Sequence, residues 1–457
     1  MKRLFAAVVL LTILVSISWA VNGEIIEVKN VKVLRVWGTP YERGFAQGYL
    51  LGEEIMAIGH DYLVPNVQYD FPVDPDLLRL FAFLYFDVPP DIEEEIHGLV
   101  AGMVARGVNI YLEEFGRDVD YLDFVVANYV ADSTVDFESK PRCSSLSAWG
   151  PATQDSEFGG ALAIERDMDW GTEAGDPYVL PANTIVLVEF PDEPAKQPVA
   201  SVTFPGMLSC LSCFNSKGVG AFLNMGNCYL SFNDLDFSRK FHAAGIAILE
   251  ALQFKDFDGD RKSTIWDVVT SLEQSNLMGS YDIHVVEPYT GQQSPAVIVE
   301  ARNDGVVVRT PGYDPDFGDN ILAATNSHLI LCPFDNCWRY NLLKSMVQNY
   351  NYEMNFDRLV ELSREVAMIW PPDNVTYHTM IYRPDTKDFW VSYTIDGDHI
   401  APFQELVYLD PEILFSPPPL NDDDADDDGL SDDDTSADDD STGADDSGES
   451  SQEGCGC

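Results

Sequence analysis

From Cys143 onward the chain breaks into short runs of β-forming residues, at 145–149, 161–164, 184–190, 199–204, 219–224, 283–287, 296–301 and 306–310. Runs this short cannot pair their backbone groups or bury their apolar faces alone, so they must gather into packed sheets. Before Cys143 the texture is the opposite. Leu77, Leu78, Leu80 and Phe81, then Ile92, Ile96, Leu99 and Val100, recur at helical spacing between breaks at Pro89-Pro90 and Gly107. A strand-like run at 25–37 opens the chain, Gly38-Thr39-Pro40 punctuates it, and a helical pattern follows at 41–58. Further helical stretches at about 238–252, 264–272, 340–349 and 356–366 lie among the later strands. Strands grouped around helices predict an α+β layered body.

The two ends read differently from this body. Lys2 and Arg3, an apolar run from Leu4 to Ile17, and Ser18-Trp19-Ala20 form the pattern of a secretory signal, which predicts an exported protein whose mature chain starts at Val21. The run is shorter than the roughly 20 residues that span a bilayer, and no later segment is long and apolar enough, so no transmembrane segment is expected in the mature chain. Pro417-Pro418-Pro419 closes the body, and from Asn421 the chain is Asp, Ser, Gly and Thr, too polar to fold alone. The expected division is therefore 1–20 signal, 21–142 a largely helical segment, 143–416 the β-rich body, and 417–457 an acidic tail ending in Cys455-Gly456-Cys457.

Charge excludes one class of partner. With 76 acidic and 27 basic residues the formal net charge is -49, which opposes nucleic acid, whose phosphates need a basic face, and disfavours anionic lipid. Two acidic clusters have the alternating spacing of calcium loops: Asp424 to Asp432 in the tail, and Asp256, Asp258 and Asp260 in the body. In the second, Arg261 stands where such a loop wants Gly, and a polar turn capped by Ser263 is the reading preferred over calcium. No other cofactor is implied. Of eight cysteines, Cys210-x-x-Cys213 and Cys332-x4-Cys337 fit zinc half-sites or disulfides, and export favours disulfides.

The chemistry concentrates at Arg142-Cys143-Ser144-Ser145, where the helical texture meets the strands. A thiol attacks a carbonyl only after a base has supplied thiolate. None of the seven histidines is tied to Cys143 by any pattern. The other source of a base is the cysteine's own α-amine, adjacent to the thiol once Cys143 is the first residue of a processed chain.

Gly38-Thr39-Pro40-Tyr41-Glu42-Arg43-Gly44 with Gln47-Gly48, Cys143-Ser144-Ser145 through Trp149-Gly150, and Arg166-Asp167-Met168-Asp169-Trp170 together resemble the autoproteolytic penicillin acyltransferase-like family, which includes isopenicillin N acyltransferase. The chain is similar more distantly to acid ceramidase, N-acylethanolamine amidase and bile-salt hydrolase. The resemblance covers most of residues 30 to 400 in motif order. It implies the four-layered αββα fold of N-terminal-nucleophile hydrolases, two antiparallel sheets between helical layers. It also implies self-cleavage after Arg142, with residues 21–142 kept as a partner chain, and a small-molecule amide whose acyl group passes to water or to an amine. Cys143 matches the nucleophile, Asp169 the carboxylate that would hold the new α-amine, and Arg166 the guanidinium that would support the thiolate. Asn224 and Asn326 match asparagines of the oxyanion side, and Arg339 follows Asn326 at the spacing of the ceramidase relatives. Arg142 departs from the small residue expected before the nucleophile. Two rivals differ in class: a papain-like cysteine protease, which would need a histidine such as His328, and a non-enzymatic exported surface protein.

Overall fold

Thr39 caps the first long helix: its hydroxyl accepts from the Glu42 amide at 3.3 Å while the Glu42 carboxylate accepts from the Thr39 amide at 2.8 Å. The computed structural model to which this helix belongs describes residues 21–70, 74–130, 143–171, 174–228, 232–291, 293–333, 337–370 and 374–419. The expected signal sequence at 1–20, Arg142 and the acidic tail lie outside the described residues.

The chain begins with a hairpin, β1 (Gly23–Val28) and β2 (Val31–Gly38), so the single run read at 25–37 is two strands turning at Lys29, whose φ is 55°. Next come α1 (Pro40–Ile58), α2 (Val64–Asp70), α3 (Pro75–Tyr85), α4 (Pro90–Arg106), the small hairpin β3 (Tyr111–Leu112) and β4 (Arg117–Asp118), and α5 (Tyr121–Val130). Beyond Cys143 follow β5 (Ser144–Ala148), β6 (Ala163–Trp170), α6 (Val179–Ala182), β7 (Ile185–Pro191), β8 (Val199–Thr203), β9 (Ser212–Asn215), β10 (Gly220–Met225), α7 (Ala244–Gln253), α8 (Ile265–Gln274), β11 (Ser280–Val286), β12 (Ala296–Arg302) and β13 (Gly305–Arg309). The last part holds β14 (Ile321–Ala324), α9 (Trp338–Asn349), α10 (Phe356–Val366), β15 (Ile369–Trp370), β16 (Asn374–Arg383), β17 (Asp388–Tyr393), β18 (Val407–Leu409) and α11 (Pro411–Phe415).

Two large sheets result. One has nine strands in the order β1-β2-β7-β8-β9-β10-β11-β12-β13, the other runs β14-β5-β6-β16-β17-β18 with β15 paired to β16. Their facing sides meet in an aromatic core in which Phe214 and Phe222 of the first sheet pack on Tyr382 and Phe389 of the second, Phe214 and Tyr382 at 4.2 Å between ring centroids. Apolar residues of α1, α4, α5, α7 and α8 share a core with the outer side of the nine-stranded sheet, and α9 and α10 cover the outer side of the other. The layers are thus helix, sheet, sheet, helix, the αββα sandwich expected.

One expectation is corrected. The nine-stranded sheet is not wholly antiparallel, because β2 pairs with β7 in parallel, Val33 beside Val186 through Gly38 beside Pro191. Parallel neighbours need a long crossover, and here α1 to β6 supply it. Residues 21–38 therefore belong to the same sheet as the later strands, and one compact unit extends through Pro417.

The layer over this sheet is tight where α1 crosses α4. A β-carbon at Gly44 would stand 1.8 Å from the Glu95 carbonyl oxygen, and one at Gly98 2.0 Å from that of Tyr41, so only glycine allows the approach. Beside that contact the buried Arg43 guanidinium meets Glu95 at 3.3 Å and Glu189 at 3.8 Å. Disulfides join Cys210 to Cys213 and Cys228 to Cys332, which removes the zinc reading of both cysteine pairs, while Cys143 and Cys337 stay as free thiols.

Candidate active site

Strand pairing sets the positions around Cys143. β5 runs antiparallel to β6 with Ser144 opposite Asp167 and Ser145 opposite Arg166. Because strand side chains alternate, Ser145, Ser147 and Arg166 face the other sheet, and Asp167 and Asp169 face the helical layer. The Cys143 side chain is only 2% exposed, and its Sγ lies 4.0 Å from the Asp169 carbonyl oxygen.

Arg339, in the first turn of α9 and almost wholly buried, gathers the site. Its Nη1 meets Asp169 Oδ2 at 2.5 Å, and its Nη2 donates to the Cys143 carbonyl at 2.9 Å and to Asn326 Oδ1 at 2.5 Å. Asn326 follows β14 and donates through Nδ2 to the Met225 carbonyl at 2.6 Å, at the end of β10. Asp169 Oδ1 accepts from Thr376 Oγ1 at 2.6 Å, directly across from it on β16. Four of the six expected site residues, Cys143, Asp169, Asn326 and Arg339, are therefore joined through one planar fork of donors.

Arg166 and Asn224 form a second, adjoining pair. Arg166 donates to Asn224 Oδ1 at 2.5 Å, to the Leu223 and Asp167 carbonyls at 2.6 and 3.0 Å, and to Ser212 Oγ at 3.3 Å. These bonds tie β6 to β9 and β10, and among the described contacts none runs to the sulfur. Arg166 thus holds Asn224 in place. Asn224 is fully buried, and its Nδ2 has no partner among the described residues.

The helix-facing side of β6 carries three carboxylates in a row, Glu165, Asp167 and Asp169, all fully buried. Burial raises Asp169 to about 6, against the opposing charge of Arg339 and the Thr376 hydroxyl. Burial, then the Asp169 charge, raises Asp167 to about 7, although Thr379 Oγ1 and Ser363 Oγ donate to its Oδ1 at 2.5 and 2.9 Å. Glu165 is pushed well above the usual carboxylate range by burial and by Asp167. Thr376, Thr379 and Ser363 were missed by sequence reasoning. The signal available was the spacing of acids at every second residue, Glu165 to Asp169, opposite a run at 374–383 whose Thr376 and Thr379 interrupt apolar residues.

Three buried histidines have their partners elsewhere. His284 lies between Ser145 and Ser147 at 2.9 and 2.8 Å, His378 meets Ser212 at 3.1 Å, and His328 meets Ser280 at 3.2 Å. Burial, the largest influence on each, holds all three below the usual imidazole range, His328 at about 4. Among the described contacts none of the three is bonded to Cys143. Elsewhere, Asp256, Asp258 and Asp260 bring carboxylate oxygens within 4.8 Å of one another on the surface, and Arg261 takes a φ of 72°. The cap of the following helix is Thr264, not Ser263, whose hydroxyl instead accepts from Gln197 and Asn215.

A cavity of about 210 Å³ begins at Trp170 and Gly171, immediately after Asp169. Its walls are chiefly apolar, with Ile55, Leu78, Phe124 and Phe204 among them, and they come mostly from the segment before Cys143. No helix among the described residues is long and apolar enough to cross a membrane.

No protein-family model matches the chain. In sequence it is similar to an uncharacterized protein of Archaeoglobus fulgidus, 21% identical over an alignment of 396 residues that covers 78% of this chain and 61% of that protein, so the chain spans about three fifths of its relative's length. Among solved structures it is similar to the Caenorhabditis elegans ortholog of N-acylethanolamine-hydrolyzing acid amidase, with 15% identity, a TM-score of 0.39, and 53% of this chain and 93% of that one covered. It is similar also to penicillin V acylase from Agrobacterium tumefaciens, with 14% identity, a TM-score of 0.37, and 60% and 88% covered. A mutant conjugated bile acid hydrolase from Clostridium perfringens shows 14% identity, a TM-score of 0.35, and 58% and 92% covered. These scores are low, and the fold of this chain is defined by its own two sheets and their helical layers.

Proposed function

We propose that the chain is an exported amide hydrolase or acyltransferase whose nucleophile is Cys143, freed as an N-terminus by its own attack on the preceding peptide bond. The observation that carries this reading is the fork of Arg339, which holds the Cys143 carbonyl, the Asp169 carboxylate and the Asn326 amide together beside a buried free thiol. The absence of a histidine partner for that thiol among the described contacts supports the α-amine as base.

In the processing step, Sγ attacks the Arg142 carbonyl carbon. The C–N bond to Cys143 breaks as its nitrogen takes a proton, and a thioester remains. Water cleaves the thioester, leaving a carboxylate on Arg142 and a free amine and thiol on Cys143. In turnover that amine accepts the thiol proton, and Sγ attacks the substrate carbonyl. Asn224, whose Nδ2 has no partner among the described residues, would donate to the developing oxyanion, a contact commonly worth a hundredfold or more in rate. The amine departs with the proton, and water or a second amine takes the acyl group from sulfur. The apolar cavity beside Trp170 suits an apolar acyl chain.

Intact mass spectrometry tests the reading. The wild-type protein should appear as two fragments divided between Arg142 and Cys143, and incubation with a panel of acyl amides should add acyl mass to the fragment that starts at Cys143. Cys143→Ala should give one uncut chain without turnover. A wild-type chain that stays whole and still turns over substrate refutes the processing step.

A further inference from the structure

One acid buried between the sheets takes no part in the fork. Asp282 of β11 stands directly across from Asn224 of β10 and, on its other side, from Glu300 of β12. Residues paired in this way share a face of the sheet, with β-carbons about 5 Å apart, and all three are fully buried. Glu300 is well served: it accepts from the Leu329, Ile330 and Leu331 amides at 2.9 Å each, and Arg309 Nε lies 3.3 Å away. Neither oxygen of Asp282 has a partner among the described residues, and neither has Asn224 Nδ2.

The surroundings of Asp282 narrow what it can bind. His328 Nε2 is 3.9 Å from its Oδ2, beyond a hydrogen bond, and meets Ser280 at 3.2 Å. Arg309 stands two strands away and donates to the Ala323 carbonyl at 3.0 Å. Burial, then the Glu300 charge, hold Asp282 well above the usual carboxylate range, with Arg309 opposing and Cys337, at the start of α9, adding to the rise. The group is thus a neutral carboxylic acid, whose carbonyl oxygen can accept. Across the ladder, Arg166 occupies Asn224 Oδ1 and leaves both hydrogens of Nδ2 for other acceptors. A buried amide without an acceptor beside a buried carboxyl without a donor is costly on both sides. The two are not bonded to each other in this structure, and side-chain rotation alone would join them.

We propose that Asp282 is a positioning residue for the oxyanion amide: its carboxyl accepts one hydrogen of Asn224 Nδ2 and leaves the other for the oxyanion. The amide is then held at both ends, by Arg166 on its oxygen and by Asp282 on its nitrogen. An ionised Asp282 would accept as well, but it would set one negative charge behind the place where another develops, so the neutral acid suits the position. The role rests on the reading of Asn224 as an oxyanion donor; the contact between the two side chains does not, and it is measured without substrate.

Infrared difference spectra at neutral pH test the contact. Subtracting Asp282→Asn from the wild type should isolate the C=O band of a neutral carboxylic acid. The same subtraction in an Asn224→Ala background should place that band at higher frequency, because the acceptor oxygen has lost its hydrogen bond. No acid band, or one that stays in place, overturns the proposal. Turnover of hexanoyl p-nitroanilide, or of the panel amide that acylates Cys143 fastest, tests the role. Asn224→Ala should lower kcat about a hundredfold and Asp282→Leu about tenfold or more, with KM little changed. The double variant should lose no more than Asn224→Ala alone, since Asp282 acts through the amide. Asp282→Asn keeps an uncharged acceptor and should stay near the wild-type kcat. Losses that add, or a loss in Asn224→Ala with none in Asp282→Leu, overturn the role, whereas an unchanged kcat in Asn224→Ala refutes the oxyanion reading beneath it. Should Asp282→Leu fail to fold, the infrared shift, which uses only Asp282→Asn and Asn224→Ala, still decides.

Discussion

Asp167 stands between two other buried carboxylates and accepts from two hydroxyls, Ser363 from α10 and Thr379 from β16. The cations near it are already committed, Arg166 on the opposite face to Asn224 and Arg339 to Asp169. Its folded value of about 7 lies above the ordinary 3.8, so from about pH 4 to 7 the native state holds a proton that the unfolded chain has released. The stability this contributes is complete at low pH and is lost as pH rises through about 7, by about 4 kcal/mol at most. Asp169, raised to about 6, loses its contribution over about pH 4 to 6, and in the folded protein the charge that Arg339 needs appears as pH passes through about 6. We therefore expect stability to fall as activity rises with pH. Urea unfolding across pH 4 to 7 checks it: the wild type should lose stability relative to Asp167→Asn with rising pH, and a constant difference would contradict the assignment. Cys143, Asp169, Asn326 and Arg339 could be named from the sequence because each sits in a motif. Thr376, Thr379 and Ser363 could not, because strand pairing and helix docking recruit them across 196 to 212 residues of chain.

Among elements, the α1–α4 crossing makes the sharpest demand on sequence. Replacing Gly98 by Ala gains roughly 1 kcal/mol of helix propensity but drives a methyl group into the Tyr41 carbonyl, 2.0 Å from its oxygen. Overpacking of this kind costs about 1–3 kcal/mol, more where backbone cannot yield. Thermal denaturation of Gly98→Ala should show a lower midpoint, and an unchanged or higher one would mean that the helices separate freely. Most elements were legible where apolar periodicity was clean: α10 was read at 356–366 and forms there, and β7, β8, β12 and β13 lie within a residue or two of their runs. β16 was not legible, since its polar Thr376, His378 and Thr379 are spent on partners within the fold and so break the alternation. β6 was cut short for the same reason, its second half being the charged stretch Glu165 to Asp169. The parallel β2–β7 pairing leaves no local signature at all.

At the scale of the molecule, the Cys228–Cys332 disulfide joins the segment just after β10 of the nine-stranded sheet to the loop beyond β14 of the other. It closes a loop of 104 residues, for which the entropy of the unfolded chain gives about 4–5 kcal/mol of stabilisation. Cys228→Ser with Cys332→Ser should accordingly lower the denaturant midpoint by several kcal/mol of unfolding free energy, and an unshifted midpoint would show that the sheets hold together without the clamp. The ladder between β2 and β7 has another outcome. It ties the portion ahead of Cys143 to the portion behind it through six residue pairs that do not include the bond after Arg142. Severing that bond would leave the architecture standing while dividing its blueprint between two molecules. Once denatured, such a protein must find its missing half by collision, and recovery would grow with concentration, whereas the uncut Cys143→Ala chain would recover alone. Maturation would then make a fold that assembles by itself only before its first catalytic act.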